Sequence, residues 1–165
     1  MLSRNNRTIV LGIGSEVLRD DGIGPKLVKD LSNSIEEDIF DYVTSCVGGM
    51  ETIEIMKDYK EAIIIDGIFT EDGVPGTVYF MTYPFNKNSL HISNAHDVSF
   101  DLAVKLAAKL NIQMPQKIRI VAVEVIEVCE FGEELTNPLQ KRYDEIFSCI
   151  VDMIRQDYVN KMPVC

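Results

Sequence analysis

The sequence has little of the positive charge that nucleic-acid binding requires. Of its 165 residues, 16 are Lys or Arg and 26 are Asp or Glu, which gives a formal net charge of −10. No stretch clusters enough basic side chains to neutralise a nucleic-acid backbone. We therefore expect no nucleic-acid partner.

Paired cysteines and long apolar runs are also lacking. The four cysteines show no CxxC spacing, which indicates neither a zinc knuckle nor a redox dithiol: Cys46, Cys129, Cys149 and Cys165. The apolar run from Ile9 to Ile13 is far shorter than the roughly 20 residues that cross a bilayer, and no signal peptide is recognisable. These absences predict a cytoplasmic protein without a membrane partner.

What the sequence does have is an alternation of apolar runs and helical patterns. With 46% apolar residues, the chain suits one domain over residues 1–165, with a core from about 8 to 158. Strands are predicted over residues 8–14, 39–46, 61–66, 77–81 and 117–125, and an irregular stretch over 83–93. Helices are predicted from residue 23, over 50–58, from about 97 to 110 and from 137 to about 158. This order predicts an α/β fold of parallel βαβ units, with helices on both faces of a sheet.

Two of the helical patterns rest on regularly spaced apolar residues. In the helix near residue 100 these lie four apart: Val98, Leu102, Leu106 and Leu110. In the last helix they form one stripe: Leu139, Tyr143, Ile146, Ile150 and Ile154.

Carboxylate and imidazole side chains follow the predicted central strands. Asp21 lies in the loop after the first strand, Asp66 at the end of the third, and His96 before the third helix. In parallel sheets such positions share the carboxyl edge, where ligands bind. Two carboxylates and one imidazole suit Ni²⁺, Zn²⁺ or Co²⁺ and leave coordination positions open. Each residue also has an ordinary explanation as a helix cap or a surface group.

Other kinds of site fit the sequence less well. Gly12 and Gly14 suggest a dinucleotide loop, but the next glycine of GxGxxG would fall on Val17, and Asp20-Asp21 would repel a diphosphate. There is no GxSxG motif for a serine nucleophile. Asp20 and Asp21 suggest an aspartic-type pair, although sequence neighbours are seldom geometric partners.

From Val10 to Gly24, the chain resembles the opening of the hydrogenase maturation endopeptidases, in which a strand leads into a glycine-rich acidic loop. The resemblance continues in order over about residues 8–155, at Gly48-Gly49, Ala62 to Gly67, Pro75 to Val78, Ser93 to Asp97 and Glu130 to Thr136. The chain departs from the residues usual in the family motifs at four positions: Ser15 stands in place of Asn, Met50 in place of Thr, Thr52 in place of Gly and Gly67 in place of Ala.

This resemblance implies a single-domain three-layer α/β/α sandwich with a mostly parallel, roughly five-stranded twisted sheet. It also implies removal of a short C-terminal peptide from the [NiFe]-hydrogenase large-subunit precursor. Nickel would be carried by that substrate, contacted by Asp21, Asp66 and His96, with other divalent ions able to occupy the site in vitro. Asp21 is the best candidate for a catalytic residue, and we expect a monomer. The alternative is a chaperone that binds the precursor's nickel site without cutting.

Overall fold

A single sheet forms the centre of the molecule. The computed structural model describes residues 3–84 and 95–159, with side chains described for residues 3–84 and 100–158. Within them the strands are β1 (Thr8–Ile13), β2 (Phe40–Ser45), β3 (Glu61–Ile68), β4 (Val78–Tyr83) and β5 (Lys117–Glu124). Their order across the sheet is β2-β1-β3-β5-β4, and β4 alone pairs antiparallel. The mostly parallel five-stranded sheet is therefore confirmed.

Helices cover both faces of this sheet. In the described part of the chain they are α1 (Ile23–Ser34), α2 (Met50–Met56), α3 (Ala95–Lys109) and α4 (Asn137–Ile154), the last continued by a π-helical turn at Arg155–Val159. Short 3₁₀ turns occur at Arg4–Asn6 and Arg19–Gly22. The predicted α/β/α sandwich of one domain is confirmed. None of these helices is long and apolar enough to cross a membrane.

The core has two halves, one on each face of the sheet. One half joins α1 and α4 to the sheet, and the predicted stripe on α4 lies there, with Tyr143 partly buried and its other members fully buried. The other half joins α2 and α3 to the opposite face, and Ile53 and Met56 of α2 are fully buried in it. Every residue of β1 is buried, as expected for a strand covered on both faces.

Helix α3 exists as predicted, but its leucines do not face the core. Leu102, Leu106 and Leu110 are 66%, 41% and 58% exposed, whereas Phe100 and Ala107 are buried. Residues four apart lie on the same face of a helix, and the face that carries these leucines points to solvent; Phe100, Ala103 and Ala107, at spacings of three and four, form the buried face. The small alanine side chain instead lets α3 pack closely against its neighbours. The side chain of Val98 lies outside the described ones.

Two strands are longer than predicted. β3 continues through Ile68, and β4 continues through Tyr83, the first residue of the predicted irregular stretch. Most of the remainder of that stretch, residues 85–93, lies outside the described residues. The extension of β3 changes the position of Asp66 within the sheet.

Candidate functional site

A crevice forms where β1 and β3 separate at the carboxyl edge of the sheet. From β1 the chain passes to β2 on one side, and it later returns to β3 on the other side of β1. β3 pairs with β1 up to Ile65, but it pairs with β5 up to Ile68. Doubly wound sheets bind their ligands at such a switch point. The crevice is therefore the expected location of the functional site.

Asp66 lies at the start of this crevice. It is the first residue of β3 beyond the last pair with β1, and it is still paired with Ala122 of β5. The prediction placed Asp66 at the end of the strand, but two further residues follow it in β3. Pairing with β5 therefore fixes the main chain that carries this partly exposed carboxylate.

Asp21 lies in the turn before α1, next to the strand that carries Asp66. The 3₁₀ turn Arg19–Gly22 carries it and contacts β3 directly. Asp21 Oδ2 accepts a hydrogen bond of 2.6 Å from the main-chain N–H of Ser15, which orients the carboxylate. A Cβ atom at Gly24 would lie 2.5 Å from the carbonyl oxygens of both Ile13 and Ile65. Only glycine therefore allows the first turn of α1 to rest on the ends of both strands.

The neighbouring Asp20 has a different environment. It is fully buried, and its two carboxylate oxygens accept hydrogen bonds from Ile126 N (3.2 Å), Glu127 N (3.2 Å), Thr136 N (2.6 Å) and Thr136 Oγ1 (2.9 Å). These contacts do not support an aspartic-type pair with Asp21. Sequence reasoning missed this structural role. The sequence feature that could have indicated this role is Thr136, which lies immediately before a helical pattern, where an N-cap residue is expected.

The loop between β5 and α4 forms one rim of the crevice. Gly132 accepts a hydrogen bond from Arg19 N (2.7 Å) and donates one to the carbonyl of Val17 (3.0 Å). Glu127 Oε1 accepts the N–H groups of residues 129 and 130, at 2.7 and 2.9 Å. These main-chain donors hold the pKa of Glu127 below its usual value. The rim is thus ordered by contacts to the turn that carries Asp21.

A second loop beside the crevice is tied to a buried carboxylate. Glu124, the last residue of β5, is 1% exposed. It accepts hydrogen bonds from Thr70 N (2.6 Å) and Thr70 Oγ1 (3.0 Å) in the loop after β3. This role was also absent from the sequence-based prediction.

His96 is the second residue of α3, but its side chain lies outside the described ones. The main-chain hydrogen bonds near the other end of α3 indicate at which edge of the sheet this helix begins. Shortly after α3, Gln113 O accepts a hydrogen bond from Asp58 N, just before β3 begins, so the helix ends at the amino edge of the sheet. A helix of 15 residues is about 22 Å long, comparable to the strands it crosses. We infer that α3 starts at the carboxyl edge, which Asp66 also faces.

The structure thus places the turn that carries Asp21 against the strand that carries Asp66. Among the side chains that it describes, no group of three or more His, Cys, Asp or Glu residues is placed to hold a metal ion. Asp21 and Asp66 alone offer two carboxylates, so binding of an ion there requires further donors. A substrate that carries its own metal ligands meets that requirement, and so does an imidazole from the start of α3.

Comparison with known proteins places the chain in a family. A family model described as "HycI: Hydrogenase maturation protease" matches residues 24–153. The chain belongs to this family. The resemblance seen in the sequence motifs is therefore confirmed. The matched range includes Asp66 and His96 and begins just after Asp21.

Individual relatives have low sequence identity to this chain but align with nearly its whole length. The Hydrogenase 2 maturation protease of Escherichia coli (strain K12) is 26% identical over 164 residues, covering 95% of this chain and 96% of that protein. The structure of the hydrogenase maturating endopeptidase HybD from E. coli superposes with a TM-score of 0.70 at 21% identity, covering 92% of this chain and 94% of that one. The [NiFe] hydrogenase maturation protease HybD from Thermococcus kodakarensis gives a TM-score of 0.64 at 21% identity, covering 89% and 98%. At these identities the superpositions show the fold.

Proposed function

We propose that this chain is an endopeptidase that removes a short C-terminal peptide from a [NiFe]-hydrogenase large-subunit precursor after nickel has been inserted. The observation that supports the proposal is that, in a member of the hydrogenase maturation protease family, the turn that carries Asp21 contacts the strand that carries Asp66. In this proposal nickel is part of the substrate. The enzyme recognises the ion in the precursor and does not hold it as a resident cofactor.

Three side chains are proposed to face the precursor's nickel: Asp21, Asp66 and His96. Carboxylate oxygen and neutral imidazole nitrogen are suitable donors for this ion. Contact with it would hold the precursor so that the scissile peptide lies over the crevice. Asp21 is the proposed general base for the attacking water, because its hydrogen bond to Ser15 N uses a main-chain donor and presents the carboxylate at the crevice. A nickel-free precursor would lack the shared ion and bind weakly.

The surface beside the crevice supports a protein as substrate. In the described part of the chain, large apolar side chains are exposed on the two hydrogen-bonded rim loops: Val17, Ile126, Val128 and Phe131. Phe131 is 84% exposed. Exposed apolar residues grouped next to a site are typical of a surface that binds another protein. The cytoplasmic location and the monomeric state remain predictions.

The test is to incubate the purified chain with nickel-loaded and nickel-free precursor and to record the intact mass of the precursor. Loss of a C-terminal peptide from the loaded form alone is the expected result. Binding without a change of mass would favour the chaperone instead. Cleavage of both forms at equal rates would refute recognition through nickel.

Site variants make the same assay specific. His96→Ala and Asp66→Asn are expected to lower processing at least about 100-fold, since a small loss of substrate positioning has effects of that size. His91→Ala removes the other histidine of the chain. Glu16→Gln removes a partly exposed carboxylate in the loop that carries Asp21; Glu16 is paired with Lys29. These two controls should process the precursor at the wild-type rate. Normal processing by His96→Ala would remove that residue from the site.

A further inference from the structure

An apolar pocket opens beside Asp66, between the sheet and the helices α2 and α3. It is open to solvent at its mouth, and the space inside that water-sized groups can occupy is about 30 Å³, room for a small group. Its lining comes from four strands, two helices and the loop before α2: Ile13, Gly48, Gly49, Thr52, Ile64, Asp66, Ile68, Met81, Phe100 and Ile120. Asp66 belongs to the crevice as well as to this lining, so the pocket continues the candidate site into the core.

Among the described residues that line the pocket, only Asp66 and Thr52 have polar side chains. Asp66 is partly exposed, whereas the four lining isoleucines are each at most 8% exposed. The second polar group is the hydroxyl of Thr52, which is fully buried and has no hydrogen-bond partner among the described residues. Buried hydroxyl groups usually have a hydrogen-bond partner, because leaving one unpaired lowers stability. The pocket therefore presents an apolar volume and, besides the carboxylate of Asp66, the hydroxyl of Thr52.

We propose that this pocket binds one aliphatic side chain of the precursor, from the segment that is cleaved, while Thr52 Oγ1 hydrogen-bonds to the main chain of that residue. The proposal deepens the function proposed above and rests on it for the identity of the substrate. An amino-acid residue in a peptide has the two properties that the pocket presents, an apolar side chain next to a main-chain amide. An acidic side chain is excluded, because the described lining residues offer it no compensating cation.

The position of the pocket gives it a role in specificity. A peptide whose side chain occupied it would run past Asp66, and hence past the carboxylates proposed to face the nickel. The pocket would then select residues near the scissile bond by size and polarity. One methylene more or fewer in such a pocket changes the specificity constant about 10- to 200-fold. Thr52 would be a specificity-determining residue in this chain.

Binding can be tested without any proteolysis. The probes are N-acetyl-leucinamide and N-acetyl-aspartamide, titrated into the whole protein with labelled isoleucine δ1 methyl groups. Saturable shifts are expected for Ile13, Ile64 and Ile120 with the leucine probe and not with the aspartate probe. Ile146 and Ile150, in the other half of the core, serve as internal controls. Absence of these shifts, or equal shifts with both probes, would overturn the proposal.

Variants of Thr52 connect the pocket to processing. Thr52→Leu should fill the pocket, abolish the methyl shifts and lower kcat/KM at least about 10-fold. Thr52→Val keeps the shape but removes the hydroxyl, so it should raise KM several-fold with unchanged or greater stability. The matched control is Thr8→Val, the same change at another buried threonine, at the amino edge of the sheet. If the Thr52 hydroxyl has only a structural role, the KM of Thr52→Val should equal that of the wild type.

The precursor supplies the complementary test, which does not depend on how the variants fold. Each residue next to the scissile bond is changed in turn to Asp, Ala and Leu, and processing is recorded. A strong preference for the aliphatic residue at one position is expected, and no preference at any position would overturn the proposal. Methyl shifts without cleavage by the wild type would retain the pocket and refute the endopeptidase. Cleavage without methyl shifts or residue preference would retain the endopeptidase and refute the pocket.

Discussion

Asp20 and Asp21 are adjacent carboxylates, and replacing each by asparagine should have opposite consequences. Asp20 is fully buried and accepts four hydrogen bonds, three from main-chain N–H groups and one from the hydroxyl of Thr136. Asp21 is partly exposed and accepts one, from Ser15 N. We expect Asp20→Asn to destabilise the fold strongly. Asp21→Asn should leave the fold intact and abolish processing.

The magnitude follows from the donors that lose their acceptor. If the amide oxygen of asparagine replaces Oδ2 of Asp20, its NH₂ group faces the N–H of Thr136, and this donor becomes unsatisfied at about 1–3 kcal/mol. The other three bonds remain but lose the contribution of the charge, which adds to the loss. We expect a decrease of about 2–4 kcal/mol in the free energy of unfolding. At Asp21 the amide oxygen can still accept from Ser15, so the decrease should stay below about 1 kcal/mol.

Urea unfolding, followed by circular dichroism, measures both variants. For a chain of this size the Asp20→Asn midpoint should fall by about 1–2 M, and Tm by about 5–15 °C. Thr136→Val offers a milder comparison, because it removes only the hydroxyl bond to Asp20. An Asp20→Asn midpoint within about 0.3 M of the wild type would refute the assigned role of this carboxylate. Equal destabilisation by Asp21→Asn would refute the difference between the two positions.

Three further predictions concern the rest of the fold. Glu124→Gln should cost about 1–3 kcal/mol by weakening the contact to the loop after β3, visible as faster amide hydrogen exchange in that loop. Burial, reinforced by a neighbouring carboxylate, raises the pKa of Tyr42 and of Tyr83 to about 12. The phenols of the unfolded chain ionise near pH 10, so the protonated tyrosines stabilise the fold fully below pH 10, and this stabilisation is lost as the pH rises towards 12. Ultraviolet titration of phenolate during unfolding would detect the loss. Leu102→Gln should change stability by less than about 0.5 kcal/mol, whereas Ala107→Leu should cost about 1–3 kcal/mol in the same urea assay.

The central part of the fold is readable from the sequence because the strands there are buried on both faces. The runs that became β1 and β3 have continuous apolar centres, and the run that became β5 is rich in β-branched residues, which favours covered parallel strands. The last helix can also be predicted from the sequence, because its apolar residues have the spacing of a single buried face. Its start is marked by Thr136 and by a proline in the first turn.

Helix α3 and the end of β3 show where such reasoning stops. On α3 the leucines are exposed and Ala103 and Ala107 are buried. Hydrophobicity alone ranks leucine as the core residue, whereas close packing of a helix selects small side chains. The end of β3 depends on pairing with β5 beyond Ile65, where β1 has already ended. That pairing is a property of the assembled sheet and leaves no mark near Asp66 in the sequence.

The division of roles between Asp20 and Asp21 has a geometric cause. They lie in a 3₁₀ turn, where successive side chains point about 120° apart, so two adjacent carboxylates cannot face the same cavity. One is directed into the protein, where the N–H groups before α4 and after β5 satisfy it. The other is left at the crevice with Ser15. The buried residue therefore fixes the rotation of the turn, and this rotation presents Asp21 to the substrate. Shifting the register of the turn by one residue would exchange the two environments and lose both the anchor and the site.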